Sequence, residues 1–217
     1  IYAAKISFKP LDENSLESLH DLSREVNILS KIKCPSIIEL IGFSSTNFHG
    51  EPKPVIITEY LSNGSLYDII LLERRSLSNF EWNSTRKLIT IYGIASSMKY
   101  LHAHNILHRD LKPGNILMDD YLCPKIADFG LSKIQHSNQD SLTIESTLEV
   151  KGSPAYISPE VWKNQKYAKT SDVYSFGIIV YEIMTVNEPY TESDLFEIRS
   201  KVIRGKRPKN RFICSRF

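Results

Sequence analysis

The chain has 217 residues, 41% of them hydrophobic and 24% charged, with a formal charge of +2. That length can bury a sizeable core in one or two domains, and the near-balanced charge gives no general argument for a polyanionic partner. Its three cysteines form no C-x-x-C, and no apolar run approaches the ~18 residues of a membrane span, so a disulfide framework, a zinc site and a spanning segment are not expected. No signal peptide is visible, and the thiols fit a reduced, cytoplasmic setting.

Residues 1–8 and 55–60 are rich in β-branched and aromatic side chains and read as strands. Between them, Leu19, Leu22, Val26, Leu29 and Ile32 recur at spacings of 3, 4, 3 and 3, which predicts a helix over about 18–32. Glu25 falls beside that apolar stripe, where a carboxylate is costly unless it meets a cation. Lys5 is the second misfit, a charge in the middle of the first strand on the same face as the small Ala3. A Lys5–Glu25 pair would resolve both; the residues alone leave an isolated salt bridge, or two snorkelling surface groups, equally open.

The turn cluster "LSNGSL" at 61–66 reads as a hinge, after which helices dominate. Residues 85–104 carry Leu88, Ile91, Ile94, Ala95, Met98 and Leu101 on one face. Residues 172–185 are apolar nearly all round, which predicts a buried central helix. The last 17 residues hold seven basic side chains and no acid; without aromatic interleaving or an amphipathic period they read as a solvated end, not as a nucleic-acid or lipid patch. The whole is an α+β chain in two unequal parts.

The chemistry concentrates in "LHRDLKPGNILMDDYLCPKIADFG" at 107–130, where Asp110, Lys112, Asn115 and Asp128 flank the short apolar runs 116–118 and 126–127. Asp110 suits a general-base or orienting role toward a bound hydroxyl. Asp128 and the amide oxygen of Asn115 can offer hard oxygen ligands to Mg²⁺, and Lys112 can offer positive charge to a phosphoryl group.

"HRDLKPGN" at 108–115 followed by "DFG" at 128–130 resembles the catalytic and metal-binding loops of eukaryotic protein kinases. "AAK" at 3–5, Glu25, "GSPAYISPE" at 152–160 and "SDVYSFGIIVYEI" at 171–183 match the family in order, over nearly all of residues 1–208. The "DLKPGN" loop resembles the serine/threonine type, and "IIELIGF" with "EYLSNGSL" the tyrosine-kinase-like group within it.

The resemblance implies a two-lobed protein-kinase-like fold: a partial N-lobe over 1–57, a hinge over 58–64 and a mainly helical partial C-lobe over 65–217. It implies that Lys5, held by Glu25, positions the ATP phosphates beside Ala3. Thr58 would be the gatekeeper, and the backbone of Glu59 and Leu61 would meet adenine. Asp110 would be the catalytic aspartate with Lys112 and Asn115, and Asn115 and Asp128 would bind Mg²⁺. Leu29, Leu40, His108 and Phe129 would stack as an internal spine, with Asp172 anchoring the catalytic loop. Expected partners are ATP and proteins bearing serine or threonine, in signal transduction, with neither nucleic acid nor a membrane span involved.

Two departures accompany the resemblance. The family's glycine-rich loop is not found before Lys5, and "KNRFICSRF" at the end departs from the pattern. The sequence therefore reads as a domain truncated at both ends, its N-lobe lacking the strands of the glycine-rich loop and its C-lobe its terminal helices. As such it is expected to be marginally stable and inactive alone. Glu160 would lack its usual arginine, and Ser158 stands where alanine is usual. A non-catalytic kinase-like binding module is the alternative reading. Ser132, Ser137, Ser141, Thr143, Ser146, Thr147 and Ser153 are candidate phosphorylation sites, with Arg109 able to pair with a phosphate there.

Overall fold

A computed structural model of the chain describes residues 1–7, 16–77, 81–134, 152–164, 166–190 and 194–209, with side chains for all of these except 16–22 and 164. Its first part is an antiparallel sheet of β1 (Tyr2–Ile6), β2 (Leu40–Ser44) and β3 (Val55–Glu59), in the order β1-β3-β2. Register sets Ala3 opposite Thr58 and Lys5 opposite Ile56. Helix α1 (Leu16–Lys31) precedes β2 in the chain. It buries Leu29 as expected, but its best-buried side chain is Ile28, while Val26 is only half-buried. The side chains of Leu19 and Leu22 lie outside the described residues.

Beyond the turn that follows β3, α2 (Leu66–Arg74) starts at a reciprocal cap: the Asp68 N–H donates to Ser65 Oγ and the Ser65 N–H to Asp68 Oδ2. Helix α3 (Ser84–Ala103) opens on Asn83, whose Oδ1 accepts the Arg86 N–H. Ile94, Met98 and Leu101 are buried as the periodicity requires, whereas Leu88 is 60% exposed and does not belong to the buried face. Gly93 lets α3 approach the following hairpin closely, since a Cβ there would lie 2.6 Å from Pro124 Cγ.

Two short pairings follow. β4 (Ile106–Leu107) pairs with β7 (Lys133–Ile134), and β5 (Ile116–Met118) pairs with β6 (Pro124–Ile126) through Ile116 opposite Ile126. The chain then supplies α4 (Pro159–Asn164), α5 (Lys169–Thr185) and α6 (Leu195–Ile203). One apolar core joins the two parts: Ile28, Leu29, Ile37 and Ile38 pack with Leu101, Ile116, Ile126 and Phe129. Full burial of such side chains stabilises by roughly 1.5–3 kcal/mol each. A second cluster gathers Ile157, Val161, Trp162, Ile198 and Val202.

Three expectations need correction. Helix α5 is not buried all round: Val173 and Met184 are exposed, and the buried side includes Ser171, Asp172, Ser175 and Glu182. The basic end is not simply solvated coil within the described residues. Lys201 lies in α6 and pairs with Glu197, and the Arg207 guanidinium sits 5.1 Å from the Tyr174 ring centroid. Ser132 is fully buried and donates to the His108 carbonyl, so it is not open to modification. Ser137, Ser141, Thr143, Ser146 and Thr147 lie outside the described residues. Among the described residues, no helix is long and apolar enough to cross a membrane.

Candidate active site

The β5–β6 hairpin answers the question its flanking residues pose. Its ladder brings Asn115, just before β5, level with Ala127, just after β6, and the Ala127 N–H donates to the Asn115 carbonyl at 2.9 Å. Asp128 follows at once. The hairpin is anchored in turn: Ile38 N–H donates to Ile126 O, and Ile126 N–H to Ser36 O. The catalytic-loop candidates are thereby built onto the same core that carries α1.

Lys5 reaches two carboxylates. Its Nζ donates to Glu25 Oε2 at 3.0 Å and to Asp128 Oδ1 at 2.8 Å, so the open choice over Lys5–Glu25 closes in favour of a pair. Burial disfavours the Lys5 charge, but the two carboxylates outweigh it and hold the ammonium above its ordinary pKa. Burial raises the Glu25 carboxyl, and Lys5 offsets this only in part. For Asp128 the balance goes the other way: Lys5 overcomes burial and holds the carboxyl below its ordinary value. The Lys5 side chain is 56% exposed, so these pairs are worth little to stability and matter mainly for position.

Asp110 is held on both oxygens. Oδ1 accepts the Ser153 N–H at 3.0 Å; Oδ2 accepts Lys112 Nζ at 2.9 Å and Asn115 Nδ2 at 3.1 Å. Lys112 also donates to Ser153 Oγ at 2.9 Å, so two residues from the segment after position 151 are part of this cluster. Gly152 makes the approach possible. Its φ is +119°, and a Cβ would lie 3.3 Å from the Arg109 carbonyl and 3.6 Å from Asp110 Oδ1. Arg109 and Asp128 are themselves left-handed, with φ of 70° and 60°, an uncommon pair of conformations held at one site.

The loop's frame is Asp172 of α5, buried at 2% exposure. It accepts the backbone N–H of His108 at 3.0 Å and of Arg109 at 2.9 Å, with His102 Nε2 donating at 2.9 Å. These donors offset the cost of burying the carboxylate. His108 Nε2 donates to the Ala127 carbonyl, and its ring centroid is 5.2 Å from that of Phe129. Leu29 and Phe129 are buried in the shared core, with Leu40 packed against it, so all four expected spine residues lie in one region.

At the end of β3, the Glu59 N–H is taken by the Glu39 carbonyl, and the Thr58 hydroxyl donates to the Glu59 carbonyl at 3.2 Å. The Glu59 N–H is therefore spent within the protein, and its carbonyl keeps one lone pair beyond the Thr58 bond. The Glu59 carboxylate is occupied by Lys125 Nζ at 2.7 and 2.8 Å. Ala3, Thr58 and Glu59 come together at one end of the sheet, with half-buried Leu61 two residues on.

The donor set fits a hard cation. Asn115 spends its Nδ2 on the carbonyl and carboxylate of Asp110, which leaves its amide oxygen as the acceptor, and Asp128 is held ionised. Among the described residues no group of three or more His, Cys, Asp or Glu is placed to hold a metal. A two-residue oxygen set suits Mg²⁺, which takes its remaining ligands from phosphates and water.

A family profile described as protein tyrosine and serine/threonine kinase matches residues 2–216. The chain belongs to the protein kinase family. It is 36% identical over 176 residues to the serine/threonine-protein kinase CTR1 of Arabidopsis thaliana, covering 80% of this chain and 20% of that protein. It is 35% identical over 207 residues to the "probable serine/threonine-protein kinase drkB" of Dictyostelium discoideum, covering 94% and 27%. The nodulation receptor kinase of Pisum sativum is 33% identical over 188 residues, covering 85% and 19%. The chain spans between 10% and 28% of the length of such relatives. Kinase membership implies use of ATP, and the serine/threonine type expected from "DLKPGN" agrees with the relatives' names.

Sequence reasoning missed three contacts. Ser153 and Gly152 on Asp110 join residues more than forty positions apart, and nothing local announces that. His102 on Asp172 is likewise remote. The Tyr156–Glu182 contact did carry a signal, because a glutamate inside the apolar run of α5 poses the same question as Glu25.

Proposed function

We propose that this kinase domain transfers the γ-phosphoryl group of ATP to serine or threonine hydroxyls of proteins, within a signalling protein working in the cytoplasm. The observation that supports this best is the Asp110 carboxylate, oriented on both oxygens by Ser153, Lys112 and Asn115. Phosphoryl transfer asks mainly for positioning and charge stabilisation, and a carboxylate fixed in this way can orient a hydroxyl.

Bound ATP with Mg²⁺ supplies the electrophilic phosphorus and its charge-neutralising cation. Lys5 holds the phosphates, with Glu25 fixing the ammonium. Asn115 and Asp128 hold the cation, and Ala3, Thr58, Glu59 and Leu61 border the adenine. Asp110 orients the substrate hydroxyl and takes its proton as the new oxygen–phosphorus bond forms and the β–γ bridging oxygen leaves with ADP. Lys112, between Asp110 and Ser153, places positive charge beside the transferring group. We assign the lobes as 1–57 and 65–217, with the hinge at 58–64.

The test is incubation of the gene product carrying this chain with γ-labelled ATP and protein substrates, followed by phosphoamino-acid analysis. Label on serine and threonine is the expected result. Nucleotide binding without transfer would favour a non-catalytic binding module, and label confined to tyrosine would contradict the assigned type.

A further inference from the structure

A cavity of about 430 Å³ opens between the end of α1, the segment after it and the start of β2. None of Lys5, Glu25, Asp110, Lys112, Asn115 and Asp128 lines it, so it is separate from the reaction centre. Its volume falls within the roughly 300–1,000 Å³ in which small ligands are held, in sites mostly apolar with a few placed polar groups. Here the apolar part comes from Leu29, Ile32 and Ile38, all buried, and from half-buried Leu40. Two ammonium groups, Lys33 and Lys125, and one carboxylate, Glu39, also line it.

The two ammonium groups are not equivalent. Lys125 is committed: its Nζ donates to both oxygens of Glu59, at 2.7 and 2.8 Å. Glu59 Oε1 also accepts the Glu39 N–H at 2.8 Å, which sets Glu39 at the Lys125 end of the cavity. That end therefore carries two carboxylates against one ammonium and repels an anion. Lys33 is exposed, and among the described residues its ammonium has neither an ion pair nor a hydrogen bond. We propose that the cavity binds a small aliphatic monocarboxylate, its carboxylate on Lys33 and its chain over Leu29, Ile32, Ile38 and Leu40. The free ammonium offers the head group an opposite charge, and the acidic end fixes which way round the ligand lies. Burial of the chain supplies most of the affinity, because an exposed ion pair such as that at Lys33 adds little.

Cys34 lines the cavity and is half-buried, so it reports on occupancy; Cys123, also half-buried, does not line it and serves as the control. The gene product carrying this chain is alkylated with iodoacetamide at rising laurate, kept below its micelle concentration. Each thiol is followed by peptide mass spectrometry and referred to its own rate without laurate. Alkylation of Cys34 should slow about tenfold at ten times the half-protecting concentration, as the free fraction falls to about a tenth, with Cys123 unchanged. Lys33→Glu turns an exposed attraction into a repulsion of similar size, so it should raise the half-protecting laurate concentration about fivefold. Dodecanol, the same chain without the charge, should protect the parent and Lys33→Glu at the same concentration. Ser30 is exposed and lines the cavity, so Ser30→Trp should fill it and abolish protection while the fold stands. If Ser30→Trp fails to fold, the laurate and dodecanol comparison in Lys33→Glu decides alone. Absence of Cys34 protection, equal protection of both thiols, protection that survives in folded Ser30→Trp, or equal laurate affinity in the parent and Lys33→Glu overturns the proposal.

Discussion

Lys5 Nζ lies 2.8 Å from Asp128 Oδ1, tying the first strand to a residue 123 positions later in the chain. The same ammonium holds Glu25 at 3.0 Å, so α1, β1 and the end of the β5–β6 hairpin share one cation. Because the Lys5 side chain is more than half exposed, its own screened charge adds little to stability, and the larger part of any loss on its removal comes from the buried Glu25 carboxyl left without its cation. Its removal should cost function far more. Lys5→Met is expected to lower kcat/KM by at least about a hundredfold, about 3 kcal/mol of transition-state stabilisation, with a melting temperature only modestly below the parent's. Steady-state kinetics and a thermal melt on the same preparation check both halves.

Asp128 is expected to act on the cation, not on the hydroxyl. Asp128→Asn should weaken Mg²⁺-dependent nucleotide binding, measured by titration with ATP at fixed Mg²⁺, and raising Mg²⁺ should recover part of it. The carboxyl also links stability to pH. Lys5 holds its folded pKa below the unfolded value despite burial, so its contribution is present above the unfolded pKa. That contribution is lost as pH falls through the folded pKa. Acid unfolding of Asp128→Asn should accordingly show a shallower dependence on pH below about 4.

Glu182 carries the opposite sign. Its carboxyl titrates at about 7 in the fold against an ordinary value of 4.5, so the stabilising protonated form is fully present below 4.5 and lost as pH rises through 7. Relative to Glu182→Gln, the parent should lose about 3 kcal/mol between pH 4 and pH 8, an order-of-magnitude figure from that difference. Urea unfolding at the two pH values measures it.

Ser158 occupies a place where the family usually has alanine, and it is 1% exposed with no hydrogen-bond partner for its hydroxyl among the described residues. Burying an unsatisfied hydroxyl costs about 1–3 kcal/mol. Ser158→Ala should therefore stabilise the protein by about 1 kcal/mol, seen as an upward shift in melting temperature, with transfer unchanged.

Much of the site was legible because its residues violate local expectation. Glu25 on an apolar stripe and Lys5 inside a strand were both misfits, the residues alone left their pairing open, and the fold pairs them. The hairpin around Asp110 and Asp128 was legible from two short apolar runs bracketing polar residues. What the sequence concealed depends on tertiary packing. Periodicity assigned Leu88 and Val26 to buried faces, but which part of a helical stripe is covered depends on neighbours that no window contains. Helix α5 read as buried all round, yet it exposes Val173 and Met184 while burying Asp172 and Glu182, because polar groups there have partners from remote loops. Glu160 was expected to lack its arginine; in the fold the Ser171 hydroxyl lies 3.5 Å from its carboxylate. Ser132 looked like an accessible hydroxyl and is instead a buried donor to His108.

The central claim is that Asp110 orients the reacting hydroxyl, and one comparison tests it most directly. Transfer of labelled γ-phosphate to serine and threonine is measured for the gene product carrying this chain and for its Asp110→Asn form, alongside their affinities for ATP·Mg²⁺. Losing a positioned base typically costs about 10²–10⁴-fold, so the variant should retain less than about a hundredth of the parent's turnover while binding nucleotide as tightly. Equal turnover by the two forms would contradict the account.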